Sequence, residues 1–189
     1  MTEDDVLDLF RTSGALLDGH FRLTSGLHSE RYLQSALVLQ YPEFAAALGE
    51  ALARRTQHLQ ATAVLSPALG GIVIGQEVAR SLGIRALFAE RQNGALTLRR
   101  GFELSPTDRV LVVEDVITTG GSTMETARVA EEAGARVPGA AAIVDRSSGS
   151  SSLHLPLQAL LRLEVPTYAP DDCPLCLQGI PVVKPGSRV

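Results

Sequence analysis

Apolar residues recur at helical spacing near the start of the chain: Val6, Leu7 and Phe10, then Leu16 and Leu17 after a polar break. This predicts helix over residues 4–17. Residues 19–34 are mixed, with Gly19 and Gly26 marking turns. Pro42 suits the first turn of a second helix, which runs through Phe44, Leu48 and Leu52 to about Arg55. Ala61 to Leu65 reads as a short strand entering Ser66-Pro67-Ala68-Leu69-Gly70-Gly71. Ile72 to Leu82 is a helix stopped by Gly83, and Arg85 to Ala89 is a strand. Asn93-Gly94 is the strongest hairpin signal, with 95–104 as a returning arm or a mobile loop. Arg109 to Val113 is an aliphatic strand, followed by a helix from Ser122 to Ala133 that stops at Gly134. Gly139 to Val144 is the next strand and ends at Asp145-Arg146. Ser147 to Ser152 reads as a loop, and Leu153 to Pro166 as a strand, a short helix or both. The proline-rich last twenty residues are expected to be irregular and packed on the surface.

Strands alternating with helices predict an α/β fold whose central sheet is mostly parallel and flanked by helices. The 189 residues contain no repeat and no dividing linker, so one domain spanning 1–189 is expected. A hydrophobic fraction of 45% supplies a sizeable core.

The formal net charge of −4 gives no bulk attraction to nucleic acid. No apolar stretch approaches the length that spans a bilayer, and no secretory signal precedes the first helix, so a cytoplasmic protein with no membrane partner is expected. Lys184 is the only lysine among 17 basic residues, which leaves arginine to bind anions and removes the usual lysine proton donor. Cys173 and Cys176 stand as C-P-L-C: a redox pair, half of a metal site, or a locally packed pair. A four-thiolate site would need a second pair, for instance from a partner subunit, and no neighbouring histidine is expected to complete a site within the chain.

The chemistry concentrates in Val110 to Thr123. An aliphatic strand runs into Glu114 and Asp115, then Val116, Ile117, Thr118, Thr119, Gly120, Gly121 and Ser122, where a helix starts. A helix N-terminus offers orphan N–H groups and a positive dipole end to an anion. Gly120 and Gly121 let backbone curl around it, and Thr118, Thr119 and Ser122 add hydroxyl donors. The acids cannot favour a phosphate, but they can accept from sugar hydroxyls and stabilise positive charge on a sugar ring. The order therefore points to a phosphorylated pentose. An ordinary strand–turn–helix with incidental acids is the plainer alternative. No G-x-G-x-x-G follows a strand and the P-loop lysine is absent, so neither a dinucleotide site nor a P-loop is present.

Three further elements handle anions. Ser66 to Gly71 joins a strand to a helix and is either a second phosphate-binding turn or a plain βα turn. Arg91, Arg99 and Arg100 flank the hairpin, as a clamp closing over a diphosphate or as solvated charges. Arg146, at the end of its strand, suits a bidentate pair with a substrate carboxylate, or an internal salt bridge with Asp145 or Glu114.

Val112 to Thr123 resembles the phosphoribosyl diphosphate signature of the type I phosphoribosyltransferases. Leu16 to Ser29, the Asp145-Arg146 strand end and the element order resemble the orotate phosphoribosyltransferases within them. The tail Cys173-Pro174-Leu175-Cys176 through Arg188 is similar to one bacterial branch. The resemblance covers nearly the whole chain. It implies the type I fold, with a small hood from about 1–40 and 150–189. It implies transfer of a phosphoribosyl group from 5-phospho-α-D-ribose 1-diphosphate to orotate, in pyrimidine nucleotide synthesis. Glu114 and Asp115 would contact ribose hydroxyls, and Thr118 to Ser122, with Val116 and Ile117 leading in, would hold the 5-phosphate. Thr118 and Arg146 would meet orotate, and Ser25 and Gly26 would join the substrate site. Glu114, Asp115, Arg99 and Arg100 would carry the catalysis, with Arg91 on the diphosphate. Mg²⁺ would be held mainly by the sugar diphosphate, and the protein would be a homodimer with shared sites.

The chain departs from the better-known family pattern. It has Thr24 where a lysine is usual, lacks a lysine near Gly70, and has a short loop with arginines in place of lysines and a histidine. Glu90-Arg91 replaces an Arg-Lys pair. Two alternatives remain at this stage: a phosphoribosyltransferase for another base such as a purine, and a non-catalytic regulator that binds the sugar diphosphate.

Overall fold

The computed structural model describes residues 1–23, 25–147 and 153–185. Thr24, most of the Ser147–Ser152 segment and the tail residues Gly186 to Val189 lie outside the described residues.

Helix α1 (Glu3–Thr12) is started by a reciprocal cap between Thr2 and Asp5 and buries Val6 and Phe10. It ends sooner than its apolar pattern predicts, because Leu16 and Leu17 belong to strand β1 (Leu16–Arg22). The polar break at Thr12 to Gly14, with Gly14 at φ 68°, is the real boundary. Gly19 lies within β1 at a register shift, whereas Gly26 does occupy the turn to β2 (His28–Leu33), at φ 87°.

After β2 come α2 (Ser35–Leu39), α3 (Pro42–Thr56), β3 (Ala63–Pro67), α4 (Gly70–Leu82) and β4 (Arg85–Gln92). They are followed by β5 (Ala95–Leu98), β6 (Arg109–Ile117), α5 (Gly121–Glu132), β7 (Arg136–Asp145), β8 (Leu157–Arg162), β9 (Thr167–Tyr168) and α6 (Pro174–Leu177). The main sheet has the order β5-β4-β3-β6-β7-β8, parallel except for β5. Asn93 and Gly94, at φ 52° and 90°, make the tight turn into β5. No helix among the described residues is long and apolar enough to cross a membrane.

The two sheet faces are covered separately. Val64, Leu111, Val113, Ala141 and Ile143 pack with α1 to α4, while Ala63, Leu65 and Val110 pack with Ala130 of α5. Val112 and Ala140 join Ala127 on the α5 side. Because side chains alternate along a strand, Val110 and Val112 face α5 and Leu111 and Val113 face α4. That parity decides where the two acids at the end of β6 point.

A second sheet, β1-β2-β9, joins the N-terminal hairpin to the C-terminal tail. The backbone of Val183 extends the attachment by donating to His20 O and accepting from Arg22 N, each at 2.8 Å. This docking overturns the expectation that no histidine accompanies the cysteines: His20 and His28 lie beside Cys173 and Cys176. Sequence separation of about 150 residues hid a neighbourhood that only the docking of the tail creates.

Candidate active site

β6 is longer than its aliphatic run suggests: Glu114, Asp115 and Val116 remain in register with Ala142 to Val144 of β7. Pairing to a buried parallel neighbour carries the strand through its two acids. Their side chains leave the strand on opposite faces, yet the two carboxyls remain close enough to interact. Glu114 faces α5 and accepts a 2.6 Å hydrogen bond from Ser122 Oγ. Asp115 faces the β3–α4 turn, where a Cβ on Gly70 would lie 2.8 Å from its Oδ2. Gly70 is thus the residue that lets the turn close onto Asp115.

Between these elements opens a cleft of about 320 Å³, lined by Pro67, Ala68, Gly70, Arg91, Leu96, Glu114, Asp115 and Ser122. It sits at the C-terminal ends of parallel strands, where ligands bind in open α/β sheets. The turn beside it contains a cis peptide between Ala68 and Leu69. Burial, reinforced by the adjacent Asp115 charge, pushes the Glu114 carboxyl up to about 8. Burial and the neighbouring Asp115 thus favour the protonated form of Glu114, which can donate a hydrogen bond.

Thr118 and Thr119 are exposed at the end of β6, and Gly120 caps α5 at φ 81°. The first turn of α5 contains no acid and, among the described residues, no side-chain cap, so its positive end suits an anion. Leu153 packs against Gly120, within 2.9 Å of where a Cβ would stand.

Arg146 donates its backbone N–H to Ile117 O at 2.8 Å, which puts the end of β7 beside the end of β6. Its Nε is buried and has no hydrogen-bond partner. The alternative internal ion pair with Asp145 or Glu114 is not formed, and Asp145 lies toward Arg162 at 4.0 Å. Burial lowers the Arg146 pKa, opposed by the nearby Tyr32. Tyr32, in β2, feels both Asp115 and Arg146, and its phenol is raised, by burial first and then by Asp115.

The arginine-rich arm is held by acids. Arg91 makes a two-pronged pair with Glu125 of α5, at 2.8 and 3.3 Å, and reaches the cleft. Arg100 makes a similar pair with Glu90 at 2.7 and 2.8 Å, and its guanidinium lies 5.9 Å from the centre of the Phe88 ring. Neither Arg99 nor Arg100 lines the cleft, and Ser25 and Gly26 sit at the tip of the β1–β2 hairpin, also outside its lining. The structure therefore gathers Glu114, Asp115, Ser122 and Arg91, sets Arg146 next to the strand end, and leaves the arm and hairpin tip apart. Sequence reading missed Tyr32 and Leu96. Nothing local marks either, since each reaches the site through a hairpin.

A model of the phosphoribosyl transferase domain matches residues 35–153. The orotate phosphoribosyltransferase of Pelotomaculum thermopropionicum is 55% identical over 188 residues, covering 100% of this chain and 99% of that protein. Among solved structures, orotate phosphoribosyltransferase from Aeropyrum pernix superposes with a TM-score of 0.72 at 24% identity, covering 84% of this chain and 93% of that one. The Mycobacterium tuberculosis orotate phosphoribosyltransferase in complex with 5-phospho-α-D-ribosyl 1-diphosphate gives 0.68 at 25% identity, covering 84% and 96%.

Proposed function

Because this chain belongs to the phosphoribosyl transferase family, and within it to the orotate phosphoribosyltransferases, we propose how its own residues divide the reaction. The enzyme makes orotidine 5′-phosphate and diphosphate from orotate and 5-phospho-α-D-ribose 1-diphosphate, a step of pyrimidine nucleotide synthesis. Near-full-length identity of 55% to a protein of that name sets aside the purine and non-catalytic alternatives.

In this reading the turn Thr118 to Ser122 takes the 5-phosphate, and Glu114 and Asp115 take the ribose hydroxyls from opposite walls. Arg146 takes the orotate carboxylate. The observation that carries the assignment is its buried Nε without a partner. An unsatisfied cation at the end of a strand calls for an anion to complete it. The neighbouring Tyr32 becomes a second contact for the base.

The orotate ring nitrogen attacks the anomeric carbon and gives up its N–H proton to the departing diphosphate or to solvent, the bond from that carbon to the diphosphate oxygen breaks, and the diphosphate leaves with the electron pair. The Asp115 carboxylate stabilises the positive ring character that develops. Arg91 reaches the departing diphosphate by exchanging its pair with Glu125, and Arg99 and Arg100 follow when the arm closes. Since the attacking nitrogen needs no strong base, positioning does most of the work. Mg²⁺ fits this site as the counter-ion of the diphosphate. Asp115, the half-buried carboxylate of the cleft, would be the protein group within its reach, and the substrate's own oxygens would supply the other hard donors. When bound, it offsets charge on the leaving group.

This reading includes a hood over the cleft built around β1-β2-β9, a homodimer that shares sites, and a cytoplasmic location. The test is a base panel with the sugar diphosphate and Mg²⁺. Diphosphate should appear with orotate and not with adenine, xanthine or uracil. Turnover of a purine at a comparable rate would overturn the assignment of Arg146.

A further inference from the structure

We propose that His20, His28, Cys173 and Cys176 form a closed, four-coordinate site for zinc(II) that fastens the C-terminal tail to the N-terminal hairpin.

The four donor atoms lie within 4.8 Å of one another. His20 Nε2 is 2.9 Å from His28 Nδ1, 3.5 Å from Cys173 Sγ and 3.8 Å from Cys176 Sγ. Cys176 Sγ is 3.3 Å from His28 Nδ1. A tetrahedral zinc ion with Zn–N near 2.0 Å and Zn–S near 2.3 Å separates its ligand atoms by about 3.3 Å for N–N, about 3.5 Å for N–S and about 3.8 Å for S–S. Four of the six donor pairs stand close to that spacing and the other two lie within 4.8 Å, so a modest adjustment would seat an ion.

The orientation of the donors is set from outside. A carbonyl can only accept, so the 2.7 Å contact from His20 Nδ1 to Ile180 O fixes the proton on Nδ1 and leaves the Nε2 lone pair facing the cluster. His20, His28 and Cys173 are buried, at 3%, 5% and 0% exposure. Two thiols give up their protons on binding, and two thiolates neutralise the dication, which makes a neutral group fit for a buried position. Four protein ligands leave no open position, so the site is structural rather than catalytic.

The tail needs such a fastening. Leu177, Ile180, Val182 and Val183 are 81%, 41%, 46% and 56% exposed, so apolar burial holds the segment weakly. Its backbone attachment is the Val183 bridge and the two-residue pairing of β9. The two histidines also flank the hairpin tip that carries Ser25 and Gly26, so one ion would clamp both ends of that turn.

The experiment uses untagged full-length protein purified under reducing conditions. Elemental analysis should give about one zinc per chain. Stripped protein reloaded with cobalt(II) should develop tetrahedral ligand-field bands and thiolate charge-transfer absorption, and zinc should raise the melting temperature of the stripped protein. Cys176→Ser, at an exposed position, should weaken cobalt binding at least about tenfold and reduce the charge-transfer intensity. Reduced wild-type protein that binds neither metal would overturn the proposal. So would a cobalt spectrum unchanged in Cys176→Ser, or a Cys173–Cys176 disulfide that forms in preference to metal binding under those conditions.

Discussion

The Ser122 hydroxyl donates a 2.6 Å hydrogen bond to Glu114 Oε1, tying the first turn of α5 to the carboxyl near the end of β6. The turn proposed to take the phosphate and the acid proposed to take the ribose are thereby tied together. A neutral Glu114 can donate as well as accept, which matches the two-way hydrogen bonding of a sugar hydroxyl.

The raised carboxyl of Glu114 has a thermodynamic consequence. Its folded-state pKa, about 8, lies above the ordinary 4.5, so between these values the folded protein binds more protons than the unfolded chain. Its stability contribution is complete below the ordinary pKa and is lost as pH rises toward the folded one. Glu114→Gln has no such proton. The melting temperature of the wild type relative to Glu114→Gln should fall as pH rises from about 5 to about 8. A difference that stays flat over that range would show an ordinary carboxyl.

Asp115 faces the Gly70 turn and keeps its carboxylate on the other wall of the cleft. Asp115→Asn preserves size while removing the charge proposed to stabilise the developing ring cation. Turnover should drop at least about tenfold with little change in melting temperature. Near-normal turnover in steady-state assays would remove Asp115 from the chemistry.

Arg146 carries a buried Nε with no hydrogen-bond partner among the described residues, a cost that the proposed orotate contact would relieve. An unpaired buried polar group costs roughly 1–3 kcal/mol. Arg146→Met should melt at a higher temperature than wild type without ligand, while its KM for orotate rises at least about tenfold and that for the sugar diphosphate changes little. Equal losses for both substrates would argue against a carboxylate contact.

Gly120 holds the turn in the left-handed region, at φ 81°, against Leu153. Gly120→Ala should cost about 1–3 kcal/mol of stability, measured by denaturant unfolding. It should also raise the KM for the sugar diphosphate more than that for orotate. An unaffected KM would mean the turn does not hold the phosphate.

The site was legible in sequence to the extent that it is local. Glu114 to Ser122 lie on one strand–turn–helix unit, and period-two alternation alone sends Glu114 toward α5 and Asp115 toward α4. Asn93-Gly94 announced its hairpin, and Gly83 and Gly134 marked helix ends. Helix was expected to run through Leu16 and Leu17 because apolar spacing does not register where an antiparallel partner takes over. The strand through Glu114 and Asp115 extended past its aliphatic run because β7 pairs with it. Tyr32 and the histidine–cysteine cluster were hidden for a related reason. They arise when the hairpin docks near the sheet end and the tail docks on the hairpin, and such contacts leave no periodicity in the chain.

The most direct measurement is a crystal structure of the enzyme with orotidine 5′-phosphate. The account expects the phosphate on the backbone N–H groups of Thr118 to Ser122, the ribose hydroxyls at Glu114 and Asp115, and the base carboxylate on Arg146. A phosphate bound elsewhere, with that turn unengaged, would contradict it.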